Sequence, residues 1–262
     1  AAIVGNIIAN QYATTINVAL NASTYKIIHG ENTGDTEYFK KGFASDEERE
    51  AYEAELCATV EAEGAALLKN ENNALPLASG AKVSLFGHGS VDLMYGGTGS
   101  GSVDTSKAPN LKQALEAQGI TINQTLWDLY SSDSMMSKYS RMTPASISDT
   151  LEANTQYAVN EAPWSALSSA ESSFAEYGDA AIVVLSRSGG EGADLPSGEN
   201  GTSDNWISGQ EGDGNYLALS AEEIELLQNL KALKDNGTFK NIVVLINSCL
   251  LYTSPSPRDR SL

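Results

Sequence analysis

One carboxylate, Glu191, stands among glycines in the segment Ser186-Arg187-Ser188-Gly189-Gly190-Glu191-Gly192-Ala193-Asp194. A carboxyl group gives or takes a proton, and glycines on either side let the backbone reach positive φ and admit a substrate closely, at a cost in conformational entropy. Ahead of it runs Ala180-Ala181-Ile182-Val183-Val184-Leu185, short, rich in β-branched residues and apolar on both alternating faces. Such a run reads as a strand buried in a parallel sheet, where ligands gather at the strand carboxyl ends. Glu191 has that address. The plainer alternative is a turn with Glu191 solvated.

A second glycine-rich stretch, Gly87 to Ser102, follows the apolar run Val83-Ser84-Leu85-Phe86 and contains Gly96-Gly97-Thr98-Gly99-Ser100-Gly101. It lacks the marks of a phosphate cradle. A Walker loop needs Gly-Lys-Ser/Thr after its glycines, and a dinucleotide fingerprint needs Gly-x-Gly-x-x-Gly at the turn into a helix. Here Gly87-His88-Gly89-Ser90-Val91-Asp92 has no third glycine, and no lysine enters the loop before Lys107. No cofactor is expected.

The 262 residues carry 34 Asp+Glu against 16 Lys+Arg, for a formal charge of −18, and no basic stripe precedes the last few residues. Nucleic acid is therefore excluded as a natural partner, because neutralising phosphates requires clustered Lys and Arg. At 41% hydrophobic residues the chain can bury the core of one ordinary domain with extensions. Two cysteines, Cys57 and Cys249, and two histidines, His29 and His88, do not make a zinc site of ordinary spacing. No metal is expected, and the redox compartment stays open.

The elements that must position Glu191 alternate in type. Ser45-Asp46-Glu47-Glu48 opens a helix to about Glu63, with the apolar stripe Tyr52, Leu56, Val60. A strand at Lys82–Phe86 is followed by a helix from about Leu111 to Ala117 and a short strand at Ile120–Ile122. Residues from about Trp127 to Ser169 show little periodicity and read as an irregular connection, and a helix near Ser172–Tyr177 feeds the Glu191 strand. Ser220-Ala221-Glu222-Glu223 is a second capping box, with Ile224, Leu227, Leu230 and Leu233 on one helical face, and Asn241–Asn247 is a final strand. Alternation of this kind means βα units around a parallel sheet, so the loops after Phe86, Leu185 and Ile246 should share one rim.

The order of several separated motifs resembles glycoside hydrolase family 3. Glu63-Gly64-Ala65-Ala66-Leu67-Leu68-Lys69-Asn70-Glu71, Leu75-Pro76-Leu77, Val83-Ser84-Leu85-Phe86-Gly87 and Gly97-Thr98-Gly99-Ser100-Gly101 resemble the opening of that family's second domain. The resemblance continues through Asp179 to Val184, Gly190-Glu191-Gly192-x-Asp194, Leu217-x-Leu219-Ser220 and Val243-Val244-Leu245-x-Asn247-Ser248. It implies an α/β, three-layer sandwich with a mostly parallel sheet, incomplete at its C-terminal end. It also implies a retaining exo-acting β-glycosidase of β-glucosidase or β-xylosidase type, acting on an oligosaccharide or β-glycoside. Its nucleophile Asp would lie on a barrel domain of the same polypeptide, and Glu191 takes the acid/base role by motif match. A non-catalytic carbohydrate-binding or interaction domain of the same fold is the alternative.

Around Glu191, Arg187 could steady a substrate hydroxyl or Glu191, or form an ordinary salt bridge. Asp194 could orient the loop or cap a turn, and Trp206 could stack on a sugar ring. Glu161, Glu199 and Glu211 are rival acids that combine no strand end with the family motif. The expected organisation is an extension over residues 1–44, the sandwich over 45–248 and a Ser/Pro/Arg-rich tail over 249–262, read as an assembly artefact or a disordered segment. With no barrel ahead of the sandwich, the chain resembles the branch in which the sandwich comes first. There, the apolar opening Ala1 to Ala9 reads either as the end of a membrane anchor or as a segment that packs on a neighbour. An anchored chain would be extracytoplasmic and an unanchored one cytoplasmic.

Overall fold

The computed structural model describes residues 2–20, 42–97, 103–141, 158–189 and 216–248. These fall into two compact units, residues 1–68 and 69–262. In the first unit lie α1 (Ala2–Gln11), α2 (Ala13–Ala19) and α3 (Asp46–Gly64). Ser45 caps α3 by accepting from the Glu48 amide at 3.2 Å, and the Glu48 carboxylate reaches back to the Ala44 amide at 2.7 Å. Acidic residues at Asp46, Glu47 and Glu48 suit the positive end of the helix dipole. No residue of α3 is buried, and Tyr52, Leu56 and Val60 are exposed. This helix, expected to open the sandwich, falls in the first unit. Among the described residues no helix is long and apolar enough to cross a membrane, so the anchor reading gains no support.

The second unit is an α/β fold built on four parallel strands. In chain order they are β1 (Lys82–Phe86), β2 (Thr121–Ile122), β3 (Ala180–Arg187) and β4 (Asn241–Ser248), and in space the order is β2-β1-β3-β4. Register pairs Val83 with Ala180 and Phe86 with Val183, then Ala180 with Asn241 and Arg187 with Ser248. Strand β3 runs two residues beyond Leu185, which carries Ser186 and Arg187 into the sheet.

Alternation along the strands divides the core. Phe86, Ala181 and Val183 join Leu126, Leu167, Phe174, Leu226 and Phe239 on one face, whereas Val83, Leu85, Ala180 and Ile182 join Ile120 and Ile122 on the other. The first face is covered by α5 (Gln124–Tyr130), α6 (Asp133–Tyr139), a 3-10 helix at Trp164–Ser173 and α7 (Ala221–Asp235); α4 (Leu111–Ala117) lies over the second. Side chains pointing alternately into two apolar layers are what a parallel sheet needs.

Two expectations change. The region after Trp127, expected to be irregular, contains α6 and the 3-10 helix, and α5 straddles its start. Asn123 and Ser132 cap α5 and α6 by accepting from Leu126 and Met135 amides, and Leu126, Tyr130 and Met135 are buried. The expected helix at Ser172–Tyr177 is instead the end of the 3-10 helix and a run of turns. On α7 the buried residues are Glu223, Leu226 and Leu230, with Leu227 and Leu233 packed beside them, while Ile224 is exposed. The inward face is thus rotated from the expected one because it includes a charged residue.

Candidate functional site at the carboxyl rim of the sheet

The carboxyl ends of β1, β3 and β4 converge as the alternation of elements requires. After Phe86 the chain turns at Gly87, whose φ is 84°, into a short 3-10 turn over His88–Ser90. A Cβ at Gly87 would lie 2.7 Å from the Val184 carbonyl oxygen, so the turn is pressed onto the β3 backbone and requires glycine. From β4, the Asn247 amide oxygen accepts the Met94 N–H at 2.6 Å and the Ser186 hydroxyl at 3.2 Å, and its NH2 donates to the Met94 carbonyl at 3.1 Å. One side chain therefore joins the loop after β1 to the ends of β3 and β4.

Beneath the rim lies Glu161, a rival acid in the sequence. Its Oε2 accepts the His88 N–H at 2.7 Å and its Oε1 accepts the Ala162 N–H at 3.0 Å. Burial raises its pKa to about 7 against these two bonds, which favour the carboxylate. His88 Nε2 meets the Asp92 carboxylate at 3.2 Å, and Arg141 donates to the same carboxylate at 3.0 Å and to the Asp92 carbonyl at 2.9 Å. Burial pushes Asp92 upward, but the His88 hydrogen bond and the Arg141 charge outweigh it and hold the carboxyl below its ordinary range. A narrow polar cavity between His88, Arg141, Glu161, Ser186 and Glu223 has room for about one water molecule, not a sugar ring.

Arg187, at the end of β3, is buried. Its Nη1 and Nη2 donate to the two Glu223 carboxylate oxygens at 2.8 and 2.6 Å, in fork geometry. The remaining N–H groups donate to the carbonyls of Tyr216 at 2.8 Å, Ser186 at 2.9 Å and Ala218 at 2.7 Å. All five guanidinium donors are engaged within the protein, so the expected contact with a substrate hydroxyl has no N–H left to make it. Glu223 also closes the α7 capping box, accepting the Ser220 N–H at 2.9 Å while the Ser220 hydroxyl accepts the Glu223 N–H at 3.1 Å. Next to Arg187, the Tyr216 hydroxyl accepts the Ser188 N–H at 2.9 Å.

Glu191, Asp194 and Trp206, with the rivals Glu199 and Glu211, lie outside the described residues. Among the described residues no group of His, Cys, Asp and Glu could hold a metal ion. The described acids at the rim, Asp92, Glu161 and Glu223, are all engaged by cations or backbone amides. Sequence reasoning missed the Glu161–His88 contact, and the salt bridge expected as one role for Arg187 has Glu223, unnamed there, as its partner. Glu223 had one available signal, since the third position of a capping box with an inward-facing neighbour pattern brings its carboxylate near the core.

Comparison with known proteins agrees with this architecture. The family described as the glycosyl hydrolase family 3 C-terminal domain matches residues 65–258, a span that runs past Ser248. Beta-glucosidase A of Butyrivibrio fibrisolvens is 34% identical over 146 residues, covering 53% of this chain and 15% of that protein. The solved structure of beta-glucosidase 3B from Thermotoga neapolitana in complex with glucose superposes with a TM-score of 0.52 at 23% identity, over 76% of this chain and 24% of that one. The same enzyme in complex with alpha-D-glucose gives 0.52 at 22% identity, over 78% and 25%. The chain thus spans a minor part of each of these relatives. Its motifs, its parallel sheet and the length of the match agree: the chain belongs to the glycosyl hydrolase family 3 C-terminal domain family.

Proposed function

We propose that the chain supplies the acid/base loop of a retaining, exo-acting β-glycosidase of β-glucosidase or β-xylosidase type, with Glu191 as the acid/base residue. The observation that carries this reading is the position of Arg187 at the carboxyl end of β3, on the rim shared with the loops after β1 and β4; Glu191 follows it after Ser188-Gly189-Gly190. The family membership and the beta-glucosidase relative support it.

In this reading Glu191 protonates the glycosidic oxygen as the bond to the leaving group breaks. It then takes a proton from the water that releases the sugar from the nucleophile. The two carboxyl groups of a retaining enzyme stand about 5–5.5 Å apart. The nucleophile Asp belongs to a barrel domain of the same polypeptide, and the 262-residue chain by itself hydrolyses no glycoside. Asp194 orients the loop and Trp206 stacks on a sugar ring.

The test uses the full product of the reading frame that carries this sequence, assayed on aryl and alkyl β-glucosides and β-xylosides. Glu191→Ala should lower turnover of substrates with poor leaving groups by about 10²–10⁴-fold, the usual contribution of a general acid or base. Azide should restore turnover on activated aryl glycosides and yield the glycosyl azide. Unchanged turnover in Glu191→Ala removes Glu191 from the mechanism. An intact product that binds sugars without cleaving them establishes the non-catalytic alternative.

A further inference from the structure

Resting on the assignment of Glu191, we infer that Arg187 and Tyr216 are positioning residues: they clasp together the two chain segments that flank residues 190–215 and so set where the acid/base carboxyl stands. The clasp is formed wholly by described groups. On the outgoing side are Arg187 and Ser188 at the end of β3; on the returning side are Tyr216, Ala218, Ser220 and Glu223 at the entry to α7. The Arg187 guanidinium spans both sides, donating to the Tyr216 and Ala218 carbonyls and to both oxygens of Glu223. The Tyr216 hydroxyl reaches back to the Ser188 N–H at 2.9 Å and lies 3.2 Å from the Ser188 hydroxyl.

The arrangement holds more contacts than a strand needs to end. A planar guanidinium with five committed donors fixes direction as well as distance, which an ammonium cannot reproduce. Arg187, Ser188, Glu223 and Ser220 are all buried, and the Arg187–Glu223 pair is shielded from competing water. Glu191 follows this anchor closely in sequence. Displacing a reacting group by about 1 Å can cost about 100-fold in rate. A rigid stem next to the acid therefore bears directly on proton delivery.

The readout is leaving-group dependence, which a loss of folded protein does not change. In the full reading-frame product, kcat/KM reports bond cleavage to the leaving group. Arg187→Lys should lower kcat/KM at least about 10-fold for an alkyl glycoside, which needs its oxygen protonated, and less than about threefold for a dinitrophenyl glycoside, which does not. Tyr216→Phe keeps the ion pair and should show the same selectivity with a smaller loss. It decides alone if Arg187→Lys does not fold. On a Glu191→Ala background neither substitution should lower alkyl glycoside cleavage further, because the group being positioned is gone. Equal losses on both substrates, or losses that add to Glu191→Ala, overturn the positioning role. Absence of leaving-group dependence in Glu191→Ala itself overturns the acid/base assignment instead, so the two failures are distinct.

Discussion

Strands β3 and β4 share the run Ile-Val-Val-Leu, at 182–185 and at 242–245, yet their surroundings are opposite. In β3, Val183 and Val184 are 0% and 1% exposed; in β4, Val244, Leu245 and Ile246 are 45%, 37% and 48% exposed. Strand β3 lies between β1 and β4, with helices over its sides. Strand β4 pairs with β3, and among the described residues no strand pairs with its other edge. The same four letters are thus mostly buried in one place, while in the other Ile242 and Val243 still pack on the core and Val244 and Leu245 face solvent. Local sequence selects an extended backbone, while neighbours decide how much apolar area is removed from water.

The carboxyl ends differ too. Strand β3 finishes in a buried ion pair, whereas β4 finishes in a neutral amide, Asn247, bonded to Met94. The largest expected effect breaks the β3 end. Glu223→Ala leaves the Arg187 charge buried without its carboxylate and should lower unfolding free energy by about 3–5 kcal/mol, read as a fall in urea midpoint. Arg187→Met combined with Glu223→Leu should recover most of that loss, because an apolar pair of similar volume has no desolvation cost to offset. A small effect of Glu223→Ala would show that the β3 end is held by packing and its backbone ladder without need of the ion pair.

Next in size is a pH effect at the buried acid beneath β1 and β3. Glu161 titrates near 7 when folded and near 4.5 in its ordinary state, so the folded protein binds the extra proton between these values. Its contribution to stability is fully present below about 4.5 and is lost as pH rises through about 7, a change of about 3 kcal/mol. The groups facing it are the His88 backbone and ring, the Ala162 amide, the Tyr130 hydroxyl and Glu223. Urea titrations at pH 5 and 7.5 should show a slope in the wild type that Glu161→Gln flattens.

The smallest effects sharpen the strand comparison itself. Val183→Ala removes fully buried methyls and should cost about 2–3 kcal/mol. Val244→Ala, half in solvent, should cost under about 1 kcal/mol. Equal values would mean that β4 is covered in solution, and calorimetry of the two variants side by side distinguishes the cases.

Legibility followed the range of the interaction. The spans Lys82–Phe86 and Leu111–Ala117 are written in local periodicity and caps, and they stand at the expected boundaries. Short α6 was obscured by its Ser and Met content and α5 by its brevity, although Asn123 and Ser132 stand where caps would. The α7 face was misread because burial of Glu223 depends on Arg187, a partner 36 residues away. Glu161 meets His88 across 73 residues, and nothing local announces that contact. The strand that leads toward Glu191 was legible in its β-branched run, and Glu191 itself lies outside the described residues.

The turn after β1 has a consequence for anyone remaking this rim. A side chain at Gly87 would meet the backbone of Val184 in a positive-φ turn, so a saturation library there should return glycine alone, whereas one at Gly89 meets the rotatable Ser186 hydroxyl and should admit small residues at a cost. Asn247 holds both main-chain groups of Met94, which closes the stretch before it to insertion as well. Grafted loops therefore have their first permissive junction after Met94, and a library that starts nearer the strand will select for repair of the turn before it selects for anything else.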